Sequence, residues 1–208
     1  MGSSGVASSG RADSGSRRSS RASSLLRLSR RTVHKLLHPA RHMIARQTVR
    51  RVGTPESILF VCHGNVCRSP YAAQATLREL PPGWNGLLRV DSAGFVGPNR
   101  RSPQHAVEVA RDRAVDLSAH RSKLLNPTLI NSSALVVVMD PWQRREVLWI
   151  AKRRDLAVIV LSDLRPSAGD RRTVLDPVAG GREVFEQSYD EVDASIRQLV
   201  QILTRSQS

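Results

Sequence analysis

The residues best suited to chemistry in this 208-residue chain surround its two cysteines: Cys62-His63-Gly64-Asn65-Val66-Cys67-Arg68-Ser69-Pro70. A thiol followed six residues later by an arginine and then a hydroxyl can handle an oxyanion. Gly64 and Asn65 tolerate left-handed backbone angles, which turn successive N–H groups inward as an anion-binding nest. Ser69-Pro70 suits a helix start, whose positive dipole end would face the same loop. A phosphate is therefore expected in a cradle running from His63 to Ser69. Cys62 would attack it as a thiolate, and the planar fork of Arg68 would grip two of its oxygens, which a lysine could not do.

Cysteine, five residues, arginine and serine form a weak pattern by themselves, because 29 arginines accompany only three lysines and chance pairings are common. The context raises it above a buried structural cysteine. Ile58 to Val61 is an all-apolar run, as in a strand buried on both faces, and Ala73, Leu77 and Leu80 then repeat at helical spacing. Further strands are expected at Leu88–Val90, Ala134–Met139 and Leu156–Leu161. Helices are expected at His105–Arg113, Pro141–Lys152 and Val184–Leu203. This alternation predicts an α/β fold: a parallel four-stranded sheet with helices on both faces, and the phosphate-binding loop after the first strand. Trp142 and Trp149 are seven apart and expected to pack on one helix face. Trp84 falls in a Pro/Gly-rich turn, and His105 is expected on a helix surface.

The formal net charge of +14 suggests a nucleic-acid binder until the charges are located. Residues 1–51 hold 12 Lys+Arg and one acid, Asp13, leaving 20 basic against 17 acidic residues beyond them. The excess therefore belongs to a basic Ser/Arg-rich tail, residues 1–54, expected to be disordered, ahead of a folded domain at 55–208. Within the tail, Leu26, Val33 and Leu37 share weak helical spacing interrupted at Pro39, so a solvated extension is the first expectation. Contact with an anionic surface and a transit function remain the alternatives. No specific nucleic acid is expected. No run approaches 18 apolar residues and no secretory signal is evident, so a cytoplasmic protein is expected. Two cysteines cannot staple a secreted scaffold. No cofactor is expected, and no metal, since His63 lacks partners at ligand spacing.

Ile58 to Leu80 closely resembles the phosphate loop of the low-molecular-weight protein tyrosine phosphatases. The likeness continues through Asp91-Ser92-Ala93-Gly94, Leu117-Ser118-Ala119-His120-Arg121-Ser122, Val137-Val138-Met139-Asp140 and Asp176-Pro177, and so spans about residues 57–203. The resemblance implies a phosphotyrosine protein phosphatase working through a cysteinyl phosphate. Cys62 would be its nucleophile, Arg68 the phosphate clamp, Ser69 a hydroxyl donor to the sulfur and Asp176 the general acid. Asn65, Ser92 and His120 would hold the loop in shape. Cys67 is either a small loop residue or, as the resemblance implies, a thiol that captures oxidised Cys62. Bacterial relatives often oppose tyrosine kinases, which makes a kinase a conceivable substrate by analogy.

Two Asp-Pro pairs compete for the acid role. Asp140 ends an expected strand before a helix, where capping explains it, whereas Asp176 lies in the long loop between Ser162 and Arg182. That contrast and the resemblance together favour Asp176. The chain departs from the tyrosine-phosphatase pattern after Asp176-Pro177, where Val178 and Ala179 replace the usual aromatic residues. Phe95, or another side chain near the mouth, is expected to substitute for them. Relatives acting on phosphoarginine tend to carry Thr where this chain has Val66, leaving a phosphoarginine or other phosphomonoester phosphatase as the alternative, with an inactive phosphate-binding module behind it. An arsenate reductase would need further cysteines downstream, and none follows Cys67.

Overall fold

The computed structural model describes residues 14–84 and 86–205, with side chains from residue 31 onward. The elements run α1 (Ser14–Val52), β1 (Ser57–Cys62), α2 (Arg68–Glu79), β2 (Arg89–Gly94), α3 (Gln104–Arg111), α4 (Pro127–Asn131), β3 (Leu135–Val138), α5 (Pro141–Ala151), β4 (Val158–Val160) and α6 (Arg182–Arg205). A single 3₁₀ turn, Leu161–Leu164, follows β4. The strands form one parallel sheet in the order β2-β1-β3-β4, with Phe60 beside Ser92 on one side and Val137 on the other. β1 is central and buried along its whole length, as its unbroken apolar run requires.

Alternation along β1 sends its side chains into two cores. Ile58, Phe60 and Cys62 join residues of α1, α2, α3 and α6, while Leu59 and Val61 join Ile130 of α4 and Val147 of α5. Helices therefore cover both faces, and the expected architecture stands. The expected elements reappear within a few residues of their positions; the one-turn helix α4 was too short to show a period.

α2 and α6 are locked together by a buried polar network. The Tyr71 and Tyr189 rings stack at 3.7 Å, and the Tyr71 hydroxyl donates to Asp193 at 2.9 Å. Arg78 donates to the same carboxylate at 2.9 Å. Burial pushes the Tyr71 hydroxyl well above its ordinary value, and the nearby Asp193 charge adds to this.

The amino-terminal segment differs from the expected disordered tail. Residues 14–52 form α1, which continues through Pro39. Tertiary bonds hold the helix on both sides of the proline: His38 Nε2 lies 3.1 Å from the Arg165 carbonyl and His42 Nδ1 lies 3.0 Å from that of Asp163. Ala45 and Val49 are buried in the main core. α1 ends at Gly53 (φ 69), whose N–H closes onto Val49 and Arg50 carbonyls, as a left-handed helix terminator does. Composition hid this packing because the inward face is built of histidine, alanine and valine instead of large apolar residues. The expectation for residues 1–13 lies outside the described residues.

The tryptophans also divide otherwise than expected. Trp142 is half-buried, whereas Trp149, one heptad on, is 76% exposed. Trp84 is buried beneath its turn, and His105 is exposed.

Candidate active site

β1 delivers Cys62 to the carboxyl end of the sheet, and the chain turns over it before entering α2. Asn65 makes the turn with φ 50, the left-handed geometry expected of it. Gly64 does not adopt a positive φ. Its lack of a side chain instead lets Arg100 approach, since a Cβ there would lie 3.0 Å from the guanidinium. Cys62 Sγ accepts two hydrogen bonds, from the Asn65 N–H at 3.2 Å and from the Ser69 hydroxyl at 3.0 Å. α2 begins at Arg68 with Cys67 in the cap position and no side-chain cap, so Ser69 serves the sulfur and not the helix end.

Asn65 is the frame of the loop. Its Nδ2 donates to the Ser69 and Ser92 hydroxyls, both at 2.9 Å, and its Oδ1 accepts from the Lys123 N–H at 2.7 Å. The His120 Nε2 donates to the Asn65 carbonyl at 2.7 Å. Burial holds the His120 imidazole below its ordinary 6.5, and the bond to Asn65 opposes this in part. Gly94, at the end of β2, lies against the turn so closely that a Cβ would come 2.7 Å from the Asn65 nitrogen. The structure thus brings Ser92 and His120 to the loop.

Arg68 is 5% exposed. It pairs with the Asp176 carboxylate and donates to the Val174 carbonyl at 3.3 Å, while its buried Nε has no hydrogen-bond partner among the described residues. A buried guanidinium with an unanswered N–H is a site for an oxyanion. Asp176 is the partly exposed member of the pair, with 43% of its side chain accessible. Asp140 instead caps α5, accepting from the Trp142 N–H at 3.0 Å. The two Asp-Pro pairs are thereby distinguished by geometry.

Cys62, His63, Gly64, Val66, Cys67, Arg68, Val96, Arg100, Asp176 and Val178 line one cleft of about 260 Å³. Phe95 is absent from this lining, contrary to expectation: it packs on Trp142 at 5.1 Å, beside His63. The rim is instead Val66, Val96 and Val178 with the Arg100 guanidinium, which donates to the Gly64 and Val96 carbonyls at 2.7 and 2.8 Å. Sequence reasoning missed Arg100. Its one signal was position, in the turn after a strand's carboxyl end, where open α/β sheets gather ligands. Cys67 is buried and free, and burial together with the neighbouring Cys62 and Asp176 pushes its thiol up to about 12.

A parallel α/β sheet whose first strand ends in a cysteine that shares one cleft with an arginine and a carboxylate is the arrangement of a cysteine-dependent phosphatase. Residues 57–208 match the family model described as low molecular weight phosphotyrosine protein phosphatase, and the chain belongs to that family. It is similar to a protein-arginine-phosphatase of Bacillus subtilis, 33% identical over 151 residues, covering 71% of this chain and 97% of the relative. It is also similar to a probable low molecular weight protein-tyrosine-phosphatase, EpsP, of Ralstonia nicotianae, 32% identical over 143 residues and covering 68% and 91%. Among solved structures, a mutant of the arginine phosphatase YwlE with a phosphorylated active-site serine superposes with a TM-score of 0.60. That structure is 31% identical and covers 72% of this chain and 96% of its own. α1 precedes the matched residues.

Proposed function

We propose that the chain hydrolyses phosphotyrosine in proteins through a cysteinyl phosphate formed on Cys62. The observation that carries this is the pairing of a sulfur held by two donors with a buried Arg68 whose Nε is unanswered, in one cleft with Asp176. The phosphate enters between Arg68 and Asp176, taking the guanidinium as its own partner and leaving the carboxyl group facing the bridging oxygen. Cys62 Sγ attacks phosphorus in line. The bond from phosphorus to the bridging oxygen breaks, and that oxygen takes its proton from Asp176. Arg68 and the backbone of the loop from His63 to Ser69 meet the equatorial oxygens as their charge redistributes. Ser69 then donates to the leaving sulfur while Asp176 accepts a proton from the water that attacks the phosphocysteine. Inorganic phosphate departs. Asn65, Ser92 and His120 act through the loop, by holding its turn.

The rim favours an aryl ester over a phosphoguanidine. Val66, Val96 and Val178 offer an apolar wall, Arg100 adds positive charge at the mouth, and Asp176 is the sole carboxylate lining the cleft. A phosphoarginine side chain would bring a guanidinium into that field with only the acid itself to receive it. The resemblance to arginine phosphatases supports phosphoarginine as the second reading. The reading extends to a phosphoprotein substrate such as a tyrosine kinase, and to a cytoplasmic location, where free thiols persist.

Phosphate release from a phosphotyrosine peptide and a phosphoarginine peptide tests both. Release from phosphotyrosine at least tenfold faster than from phosphoarginine, abolished in Cys62→Ser, is expected. The reverse preference would select the second reading, and release by Cys62→Ser at the wild-type rate would overturn the nucleophile.

A further inference from the structure

α1 presents two different faces. Inward, His34, His38, Ala45 and Val49 are buried against the phosphatase domain. Outward, Val33, Leu36, Leu37, Met43 and Ile44 are 52%, 74%, 45%, 54% and 59% exposed. At 3.6 residues per turn these five positions, with exposed Ala40 between them, fall within an arc of about 120°. They make up five of the eleven large apolar side chains exposed among the described residues, gathered into 12 consecutive positions. An apolar stripe of this kind on an ordinary surface helix would have been turned inward; here the inward side is already occupied.

The charges around the stripe indicate what covers it. α1 holds 11 arginines and lysines and no acidic residue. Arg50 borders the stripe on one side, with Arg46 and Lys35 beyond it, and Arg41 borders it on the other, where it donates to the inward His34 at 3.1 Å. The exposed Arg50 can lay its stem along the stripe and keep its charged head at the border. The ion pairs that Lys35 and Arg31 make with Asp170, at 3.3 and 3.8 Å, are exposed and weak enough to exchange. Among the described residues no helix is long and apolar enough to cross a membrane, so α1 is suited to lying in an interface.

We propose that the outward face of α1 docks on the surface of an anionic lipid bilayer. Val33, Leu36, Leu37, Met43 and Ile44 enter the boundary between headgroups and acyl chains, and the flanking arginines and lysine meet lipid phosphates. A second copy of the chain would match the apolar stripe but bring two acid-free basic helices together, which charge opposes. A nucleic acid would match the charge but not the stripe, which has no aromatic side chain on which a base could stack. Only a surface that is both apolar and anionic answers both features.

The test uses the full chain with sedimented vesicles of phosphatidylcholine alone or of phosphatidylcholine containing phosphatidylglycerol, at low and high salt. Wild type is expected to partition at least tenfold more strongly onto the anionic vesicles, and less so at high salt. Leu36→Glu combined with Ile44→Glu is expected to lose about tenfold or more of that binding. Both substitutions are on exposed positions, so helicity by circular dichroism, the melting temperature and turnover of p-nitrophenyl phosphate in solution should match wild type. Folded wild type that sediments with neither vesicle would overturn the proposal, as would equal binding to both or equal binding by the variant. A dimer in analytical ultracentrifugation that the variant abolishes, without vesicle binding, would assign the face to a second copy. Tight RNA binding unaffected by the variant, again without vesicle binding, would assign α1 to nucleic acid.

Discussion

At the scale of single residues, the cleft assigns opposite tasks to groups a few ångströms apart. Arg68 is a buried guanidinium, so its place in the loop depends on a negative partner. Asp176 supplies one in the resting site, and a phosphate would supply a better one. Asp176 is the solvent-accessible member of that pair, whereas Cys67, pushed up to about 12 by burial, stays a thiol beside Cys62. If Asp176 protonates the departing oxygen, its contribution must depend on how much the leaving group needs that proton. Asp176→Asn is therefore expected to lower kcat on a phosphotyrosine peptide by about 10²–10⁴-fold. The loss should be much smaller on an aryl phosphate whose phenol is strongly acidic. A series of substituted phenyl phosphates measures this, and a loss independent of leaving-group pKa would remove the acid role.

At the scale of elements, the loop owes its shape to what surrounds it more than to its own residues. β1 sets the position of Cys62, but Asn65 holds its positive φ because β2, through Ser92, and the segment from His120 to Lys123 bind its side chain and carbonyl. Gly94 is where β2 presses closest. In Gly94→Ala the new methyl meets backbone, which cannot swing aside as a flexible side chain could. A destabilisation of about 1–3 kcal/mol is expected, at about 2–4 °C of melting temperature per kcal/mol in a protein of this size. Since the displaced atom is the N–H that binds Cys62 Sγ, kcat should fall with it. A melting curve and a rate constant on the same preparation check both, and an alanine variant that melts and turns over as wild type would contradict the close approach.

At the scale of the whole molecule, α1 ties the chain's first described residues to the loop that carries Asp176. His38 and His42 reach the Arg165 and Asp163 carbonyls, and Arg172, in that same loop, binds Asp163 through two bonds of 2.9 and 2.6 Å. His34 accepts from Arg41 at 3.1 Å and so must be neutral on that nitrogen. Burial lowers His34 and His38 from the ordinary 6.5, with Arg41 and Arg165 adding to it for His34, as burial lowers His120. Each therefore takes a proton less readily in the fold than in the unfolded chain, where it does so near pH 6.5. Their contribution to stability is therefore complete above about pH 6.5 and is lost as pH falls below it. Melting temperatures between pH 8 and 5 should decline across that window, and less steeply in His34→Gln. A flat profile would show that the three imidazoles ionise alike in both states.

Sequence alone determined most of the fold and the centre of the site. The apolar run into Cys62, the residues from His63 to Ser69 and the strand-helix alternation are local signals, because a buried strand and a phosphate-binding turn each require particular residues at adjacent positions. Ser92 and His120 were legible only through resemblance, and Asp176 through resemblance together with its place in a long loop, since each meets the loop from a distant stretch of chain. Arg100, the exclusion of Phe95 from the cleft and the exposure of Trp149 left no local trace. Only tertiary structure could decide these, because which side of an element faces the core depends on what packs there. α1 shows this most plainly. Its composition reads as a solvated tail, yet His38 and His42 find carbonyl partners more than a hundred residues away, which leaves Val33, Leu36, Leu37, Met43 and Ile44 facing out beside its exposed basic residues.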